Sequence, residues 1–200
     1  MHKSHSIKKL LLTVIVLILA NFGVVIPIHA DTTNDNCNFH WHTPSVYVQS
    51  KTSSKGYNKL FDQAIRKYNQ TNTITLVKTT SAGQITFSLK HILPKSPAAT
   101  DNAKLLGDTI LGNTHWESDG TQLTSCQIQI NNRDLNQYGY TRQAKLHVIE
   151  HELGHALGLS HNSNDPKSIM YPVTKWNSKA KLARNDINNL KQLYSQPICG

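Results

Sequence analysis

His151-Glu152-Leu153-Gly154-His155-Ala156-Leu157-Gly158-Leu159-Ser160-His161 is the stretch on which the reading of this chain turns. Residues four apart on a helix sit about 40° from each other around the axis and one turn, ~5.4 Å, along it. His151 and His155 therefore project side by side, at a spacing that suits two ligands of one Zn²⁺. On the same wheel Leu146, Ile149, Leu153, Ala156 and Leu157 fall on the opposite side. The helix is thus expected to bury one face and present imidazoles from the other into a cleft. Thr141 is a natural N-cap, and Gly158 can take the left-handed conformation that ends a helix. This predicts a helix over 141–157, after which the chain turns and His161 returns as a third nitrogen ligand. Three nitrogens leave one tetrahedral position for water, the pattern of a catalytic rather than a structural zinc. Glu152, beside the first ligand, is placed to accept that water's proton and pass it to a leaving amine. With 11 histidines and three glutamates in 200 residues, chance predicts on the order of 0.01 His-Glu-x-x-His matches. A merely solvated histidine-rich helix is set aside on that ground. A zinc site without catalysis is disfavoured by Glu152, which ligation does not need and chemistry does.

Working outward, apolar periodicity supplies the other elements. Leu60, Phe61, Ala64, Ile65 and Tyr68 recur at helical spacing within 57–68. Val46-Tyr47-Val48, Thr73–Lys78, Gln84–Leu89 and Thr124–Ile130 read as strands. In the last of these Cys126 shares a face with Ile128 and Ile130, as a small buried hydrophobe. Leu105–Leu111 is a short strand candidate, and His91–Ala103, with Pro94 and Pro97, is a loop. Asn113–Gly120 reads as a turn-rich loop and Asp165–Lys179 as irregular. Ile187, Leu190 and Leu193 mark a closing helix over 185–194. Strands mixed with well-spaced helices and no internal linker imply one α/β or α+β domain over 31–200.

The N-terminus reads as an address label. Met1–Lys9 is basic, Leu10–Ala20 is an apolar run broken only by Thr13, and Ile28-His29-Ala30 precedes polar Asp31-Thr32-Thr33-Asn34. This is the order of a secretory signal peptide, expected to be cleaved after Ala30. An uncleaved anchor is the alternative, since Leu10–Ile28 is long enough to span, although Asn21, Gly23 and Pro27 interrupt it. Either way residues 31–200 are expected outside the membrane, as a secreted, monomeric domain. Mean hydropathy of −0.42 excludes a multi-span membrane protein. The net charge is +9, and the 21 basic residues, less the three in the leader, leave +6 against 12 acids. The basic residues form no cluster resembling a nucleic-acid arm, so no nucleic-acid partner is expected. Cys37, Cys126 and Cys199 then meet an oxidising environment. Any internal disulfide is expected to join Cys37 to Cys199, both near the domain ends, leaving Cys126 as the odd thiol.

The motif resembles the signature of the metzincin metalloproteases, His-Glu-x-x-His-x-x-Gly-x-x-His followed by a Met-turn. Ser168-Ile169-Met170-Tyr171-Pro172 looks like that turn, and its Met-Tyr-Pro order is similar to the matrixin branch. Trp41 to Val48, Leu60 to Tyr68, Ile128 to Asn131 and Leu182 to Tyr194 extend the likeness over most of 40–195. The resemblance implies an α/β metzincin catalytic domain, with a twisted five-stranded mixed sheet, one antiparallel edge strand and three helices. It implies Zn²⁺ on His151, His155 and His161, Met170 beneath the metal, and a substrate pocket lined by His147, Tyr171 and Pro172, with His147 facing the side chain just after the scissile bond. It implies a protein or peptide substrate. The chain departs from animal matrixins in lacking a cysteine-switch propeptide motif and the loops that hold structural zinc and calcium. Asp101, Asp108, His115, Glu117 and Asp119 are candidate ligands of Ca²⁺ or a second zinc, with a solvated loop the preferred reading. Thr174 stands where animal matrixins usually carry Tyr. No appended domain is expected within the 200 residues.

Other candidate sites are weaker. Ser163 and Ser168 lie near histidines, but there is no Gly-x-Ser-x-Gly elbow. His40 and His42 read as surface or edge histidines, and Trp116 and Trp176 as loop residues that either touch substrate or cap the core. Two function classes follow: a secreted zinc endopeptidase, favoured by Glu152, and a non-enzymatic, zinc-stabilised surface or host-binding module on the same fold.

Overall fold

Val46 and Val48, Leu76, Ile85 and Phe87, and Leu123, Cys126, Ile128 and Ile130 are the inward side chains of four strands, all at most 3% exposed. The computed structural model describes residues 40–43, 45–91, 93, 110–120, 122–179 and 181–195. The strands are β1 (Ser45–Ser50), β2 (Thr75–Lys78), β3 (Ile85–Lys90), β4 (Gly112–Asp119) and β5 (Gln122–Asn131). They form one sheet in the order β2-β1-β3-β5-β4. Pairings β1–β2, β1–β3 and β3–β5 are parallel, and β4 closes one edge antiparallel to β5. This is the expected mixed sheet with one antiparallel edge strand.

Among the described residues four helices accompany it: α1 (Lys55–Asn69), α2 (Asn132–Gln137), α3 (Arg142–Ala156) and α4 (Arg184–Ser195). Three are long, as expected. The six-residue α2 is an addition that buries only Leu135 and is capped by the Asn131 side chain, which accepts from the Asp134 N–H. One apolar side chain gives no period to detect in sequence. In α1 the inward set Leu60, Phe61, Ala64, Ile65 and Tyr68 is the predicted one. Phe61 stacks on Phe87 of β3 with ring centroids 4.3 Å apart.

Several expectations are corrected by the structure. Residues 113–120 are not a loop: Gly112 to Asp119 form β4, paired with β5 from Gly112↔Ile130 to Asp119↔Gln122, with an irregularity at Glu117/Ser118. An edge strand with one face to solvent needs no apolar alternation, which is why its polar composition misled. Helix α3 is not apolar on one side only. Beyond its first turn it is buried nearly all round, including His147, Glu150, His151 and Glu152. It lies against α1 on one side and β4 and β5 on another, so its polar residues face other elements rather than water. Glu150, fully buried, meets the Lys67 ammonium of α1 at 2.5 Å from Oε1. Burial still holds its carboxyl above the ordinary range, with Lys67 pulling the other way.

Of the surface and edge readings of His40 only the first fails: it is buried, and it forms an isolated parallel bridge to Gln122. Its ring packs edge-on against Tyr194 at 5.4 Å, and its carbonyl accepts from the Leu123 N–H. Trp41 is buried with its Nε1–H donating to the Ala156 carbonyl at the end of α3, while Trp116 and Trp176 are exposed. Ile110 and Leu111 lie outside any strand, and 105–109 fall outside the described residues. So do the leader at 1–30, Cys37, Cys199, Asp101 and Asp108. Cys126 is a buried free thiol, pushed up to about 12 by burial, so it is no nucleophile at neutral pH. No helix among the described residues is long and apolar enough to cross a membrane.

Candidate active site

Helix α3 starts where its sequence says it should. Thr141 caps it, its hydroxyl accepting from the Ala144 N–H at 3.2 Å. It ends in a Schellman turn: Gly158 sits at φ 93°, its N–H donates to His155 O, and the Leu159 N–H donates to Gly154 O. That turn has a consequence for the site. It aims the Leu159 carbonyl back at His155, whose Nδ1 lies 2.8 Å away. His151 is held likewise by the Ile169 carbonyl, 2.7 Å from its Nδ1. A carbonyl only accepts, so in both rings the proton sits on Nδ1 and the lone pair on Nε2.

The Nε2 atoms of His151, His155 and His161 converge. They are 3.1 Å apart between His155 and His151, 3.2 Å between His155 and His161, and 3.3 Å between His161 and His151. Zn–N bonds of about 2.0–2.1 Å in a tetrahedron put neighbouring nitrogens about 3.3–3.4 Å apart. Three lone pairs this close repel unless a cation lies between them, so the donor set and its spacing fit a zinc site. Burial grades across it, with His151 buried, His155 partly exposed and His161 exposed, which opens the centre on the His161 side. Burial, reinforced by the neighbouring rings, lowers His151 to about 3 and His155 to about 4. Neutral imidazoles are the form a metal requires.

Residues 168–172 support this centre from below. Met170 is buried, and its Sδ lies against Gly154, where a Cβ would also stand 2.8 Å from the Tyr68 hydroxyl. Besides holding His151 through Ile169, the turn accepts the Asn162 N–H at Met170 O, next to His161. The turn is itself anchored by Asp186 of α4. Its carboxylate accepts from the Ser168 hydroxyl, from the Ile169 N–H at 2.9 Å and from the Ala183 N–H at 2.7 Å. Asp186 falls within the likeness at 182–194 but carries no role in the sequence, because an acid in the first turn of a helix is an ordinary capping residue.

Glu152 is 6% exposed and seated against β4. Thr114 Oγ1 lies 2.6 Å from its Oε2 and 3.0 Å from its backbone carbonyl. Burial pushes its carboxyl up to about 7, and the Thr114 hydrogen bond opposes that rise. His147 is buried, with Nδ1 3.2 Å from the Lys179 carbonyl and Nε2 without a hydrogen-bond partner among the described residues. Tyr171 and Pro172 are half-buried. His115, Glu117 and Asp119 do not assemble into a second centre. The three histidines are the only group of three or more ligand-type side chains that converges among the described residues.

The matrixin family model, of the peptidase M10 class, matches residues 41–195, from the buried Trp41 to the end of α4. The chain belongs to the matrixin family. Among similar proteins, mouse (Mus musculus) interstitial collagenase B is 37% identical over 94 residues, covering 46% of this chain and 17% of the collagenase. Rat (Rattus norvegicus) macrophage metalloelastase is 47% identical over 53 residues, 26% of this chain and 11% of the relative. Human (Homo sapiens) matrix metalloproteinase-15 is 36% identical over 94 residues, 46% of this chain and 12% of the relative. The aligned parts thus span less than a fifth of each relative's length. The sheet order, the three long helices and the histidine centre of this matrixin domain occupy the matched segment.

Proposed function

We propose that this matrixin domain is a zinc-dependent endopeptidase that hydrolyses peptide bonds in proteins outside the cell. The observation that carries the reading is the Nε2 triangle with a buried glutamate one residue after its first member. His151, His155 and His161 would hold the metal, which when bound supplies Lewis acidity to a water and a peptide carbonyl. The chain's own residues supply the rest. Glu152 takes the proton from the attacking water and returns it to the leaving amine nitrogen, a role suited to a carboxyl whose pKa lies near neutrality. Ile169 O and Leu159 O keep the ligand rings in one tautomer and orientation. Met170 packs beneath, and His147, Tyr171 and Pro172 line the substrate pocket, His147 on the side of the residue after the scissile bond. The basic, then apolar, then small-residue order of 1–30 supports export with cleavage after Ala30.

The test is cleavage of casein or gelatin by the purified domain with and without a chelator, alongside Glu152→Ala. Chelator-sensitive hydrolysis that Glu152→Ala abolishes is expected. Zinc binding with no hydrolysis of any protein or peptide library would instead favour a non-enzymatic binding module. N-terminal sequencing of the exported protein should begin at Asp31.

A further inference from the structure

We propose that Gly112 and Thr114 of β4 form a two-residue seat that fixes the carboxyl group of Glu152, with Thr114 a positioning residue for peptide hydrolysis. The inference rests on the reading of Glu152 as general base. Residues i and i+2 of a strand share a face, and here the shared face of Gly112 and Thr114 is turned to α3 while Asn113 and His115 are exposed. At Gly112 the absent side chain is the point. A Cβ there would stand 2.6 Å from Glu152 Cγ and 2.7 Å from its Cδ, so the carboxyl fills the volume that any other residue would occupy. Gly112 carries no positive φ, so close approach rather than backbone conformation is what its position demands.

Two places along, Thr114 supplies the polar half of the seat. Its one hydroxyl proton has two acceptors, Oε2 at 2.6 Å and the Glu152 carbonyl at 3.0 Å. With Glu152 ionised, the proton points to Oε2. With Glu152 carrying a proton on Oε2, the carboxylic acid donates to Oγ1 and the threonine proton turns to the backbone carbonyl. No heavy atom moves and no proton is left without an acceptor in either arrangement. A hydroxyl can do this because it both donates and accepts. The same carboxyl is therefore held before and after it takes the proton, which a donor-only partner such as lysine would not achieve.

The experiment measures zinc content, Tm, and kcat and KM on a fluorogenic peptide for Thr114→Val, Thr114→Ser, Gly112→Ala, Glu152→Gln and Ser125→Ala. Crystal structures of the wild type and Thr114→Val accompany the kinetics. Ser125 is a half-buried control on β5, where its hydroxyl donates to Glu117 Oε2 at 2.8 Å. Thr114→Val is expected to lower kcat about 10–100-fold, the scale of a small misplacement of a catalytic group. KM, zinc and Tm should stay near wild type, with the Glu152 carboxyl displaced from β4 in the crystal. Thr114→Ser should recover most of the turnover, Gly112→Ala should lose turnover with zinc retained, and Ser125→Ala should match wild type. Wild-type kcat in Thr114→Val, with the carboxyl unmoved, would overturn the seat. So would a loss that follows zinc or Tm and that Thr114→Ser does not rescue. Normal turnover by Glu152→Gln would instead overturn the reading of Glu152 beneath it.

Discussion

Helix α3 and strand β4 meet at one carboxyl group and are otherwise opposites. From Leu146 to Gly154 every residue of α3 is buried, and even its glutamates and histidines face other parts of the protein. Strand β4 keeps only Gly112 and Thr114 half-buried and exposes everything from His115 onward. Helix α3 carries two of the proposed ligands and the proposed base, and β4 constrains where one of its side chains can lie. A site assembled this way is expected to fail differently on each side. Damage to α3 should remove metal, chemistry or stability outright, whereas damage to β4 should leave a folded, metal-loaded and sluggish protein.

The largest effect should come from His155→Ala. It removes one of three nitrogens, so zinc binding and hydrolysis should both be lost and the domain should melt lower, because metal binding is coupled to folding. Full zinc content in this variant would refute the ligand set. Next in size is Glu152→Ala, expected to lower kcat about 10²–10⁴-fold with one zinc per chain still bound. Together the pair separates the ligating from the chemical part of α3.

Acid should expose the helix's contribution to stability. In the metal-free domain His151 and His155 titrate near about 3 and about 4, below the ordinary 6.5. The unfolded chain therefore binds their protons first, so stability is fully present above about 6.5 and falls as pH drops towards 4. Glu152, raised to about 7, acts in the opposite sense between about 4.5 and 7 and softens the change. Tm of the chelated domain is expected to decline from pH 7 to pH 4, and a rise on acidification would contradict the buried neutral rings.

Gly154→Ala sharpens the contrast with Gly112→Ala. A Cβ at 154 meets Met170 Sδ and the Tyr68 hydroxyl inside the core. It should cost about 1–3 kcal/mol of stability by overpacking, read by denaturant unfolding, where Gly112→Ala should register chiefly in turnover. The smallest expected effect is His147→Leu. If His147 lines the pocket beyond the scissile bond, the variant should shift relative kcat/KM towards longer apolar side chains by about 1–3 kcal/mol across a graded peptide series. An unchanged ranking would show that the histidine only ties α3 to Lys179.

Much of this protein could be read before its structure was known, and the legible parts share a cause. The helices at 55–69 and 184–195 and strands β1, β3 and β5 each bury one periodic face, and burial imposes the pattern that reveals them. Strand β4 and helix α2 bury too little to impose one. The likeness of 168–172 to a Met-turn was visible too, whereas the anchoring of that turn by Asp186 was not, since Ser168 and Asp186 are 18 positions apart.

By itself the sequence determined the pair of histidines on one helix face, because four residues make one turn whatever surrounds them. It also determined the turn at Gly158 that sends His161 back, because only a residue at ease with positive φ ends a helix so abruptly. Tertiary structure alone decided that Glu152 would be buried and near neutral in pKa, and that a glycine and a threonine some 40 residues earlier would be its seat. Helical periodicity is a local property of the backbone. The position of a side chain against another element depends on how α3 lies across β4, and no spacing within either segment encodes that.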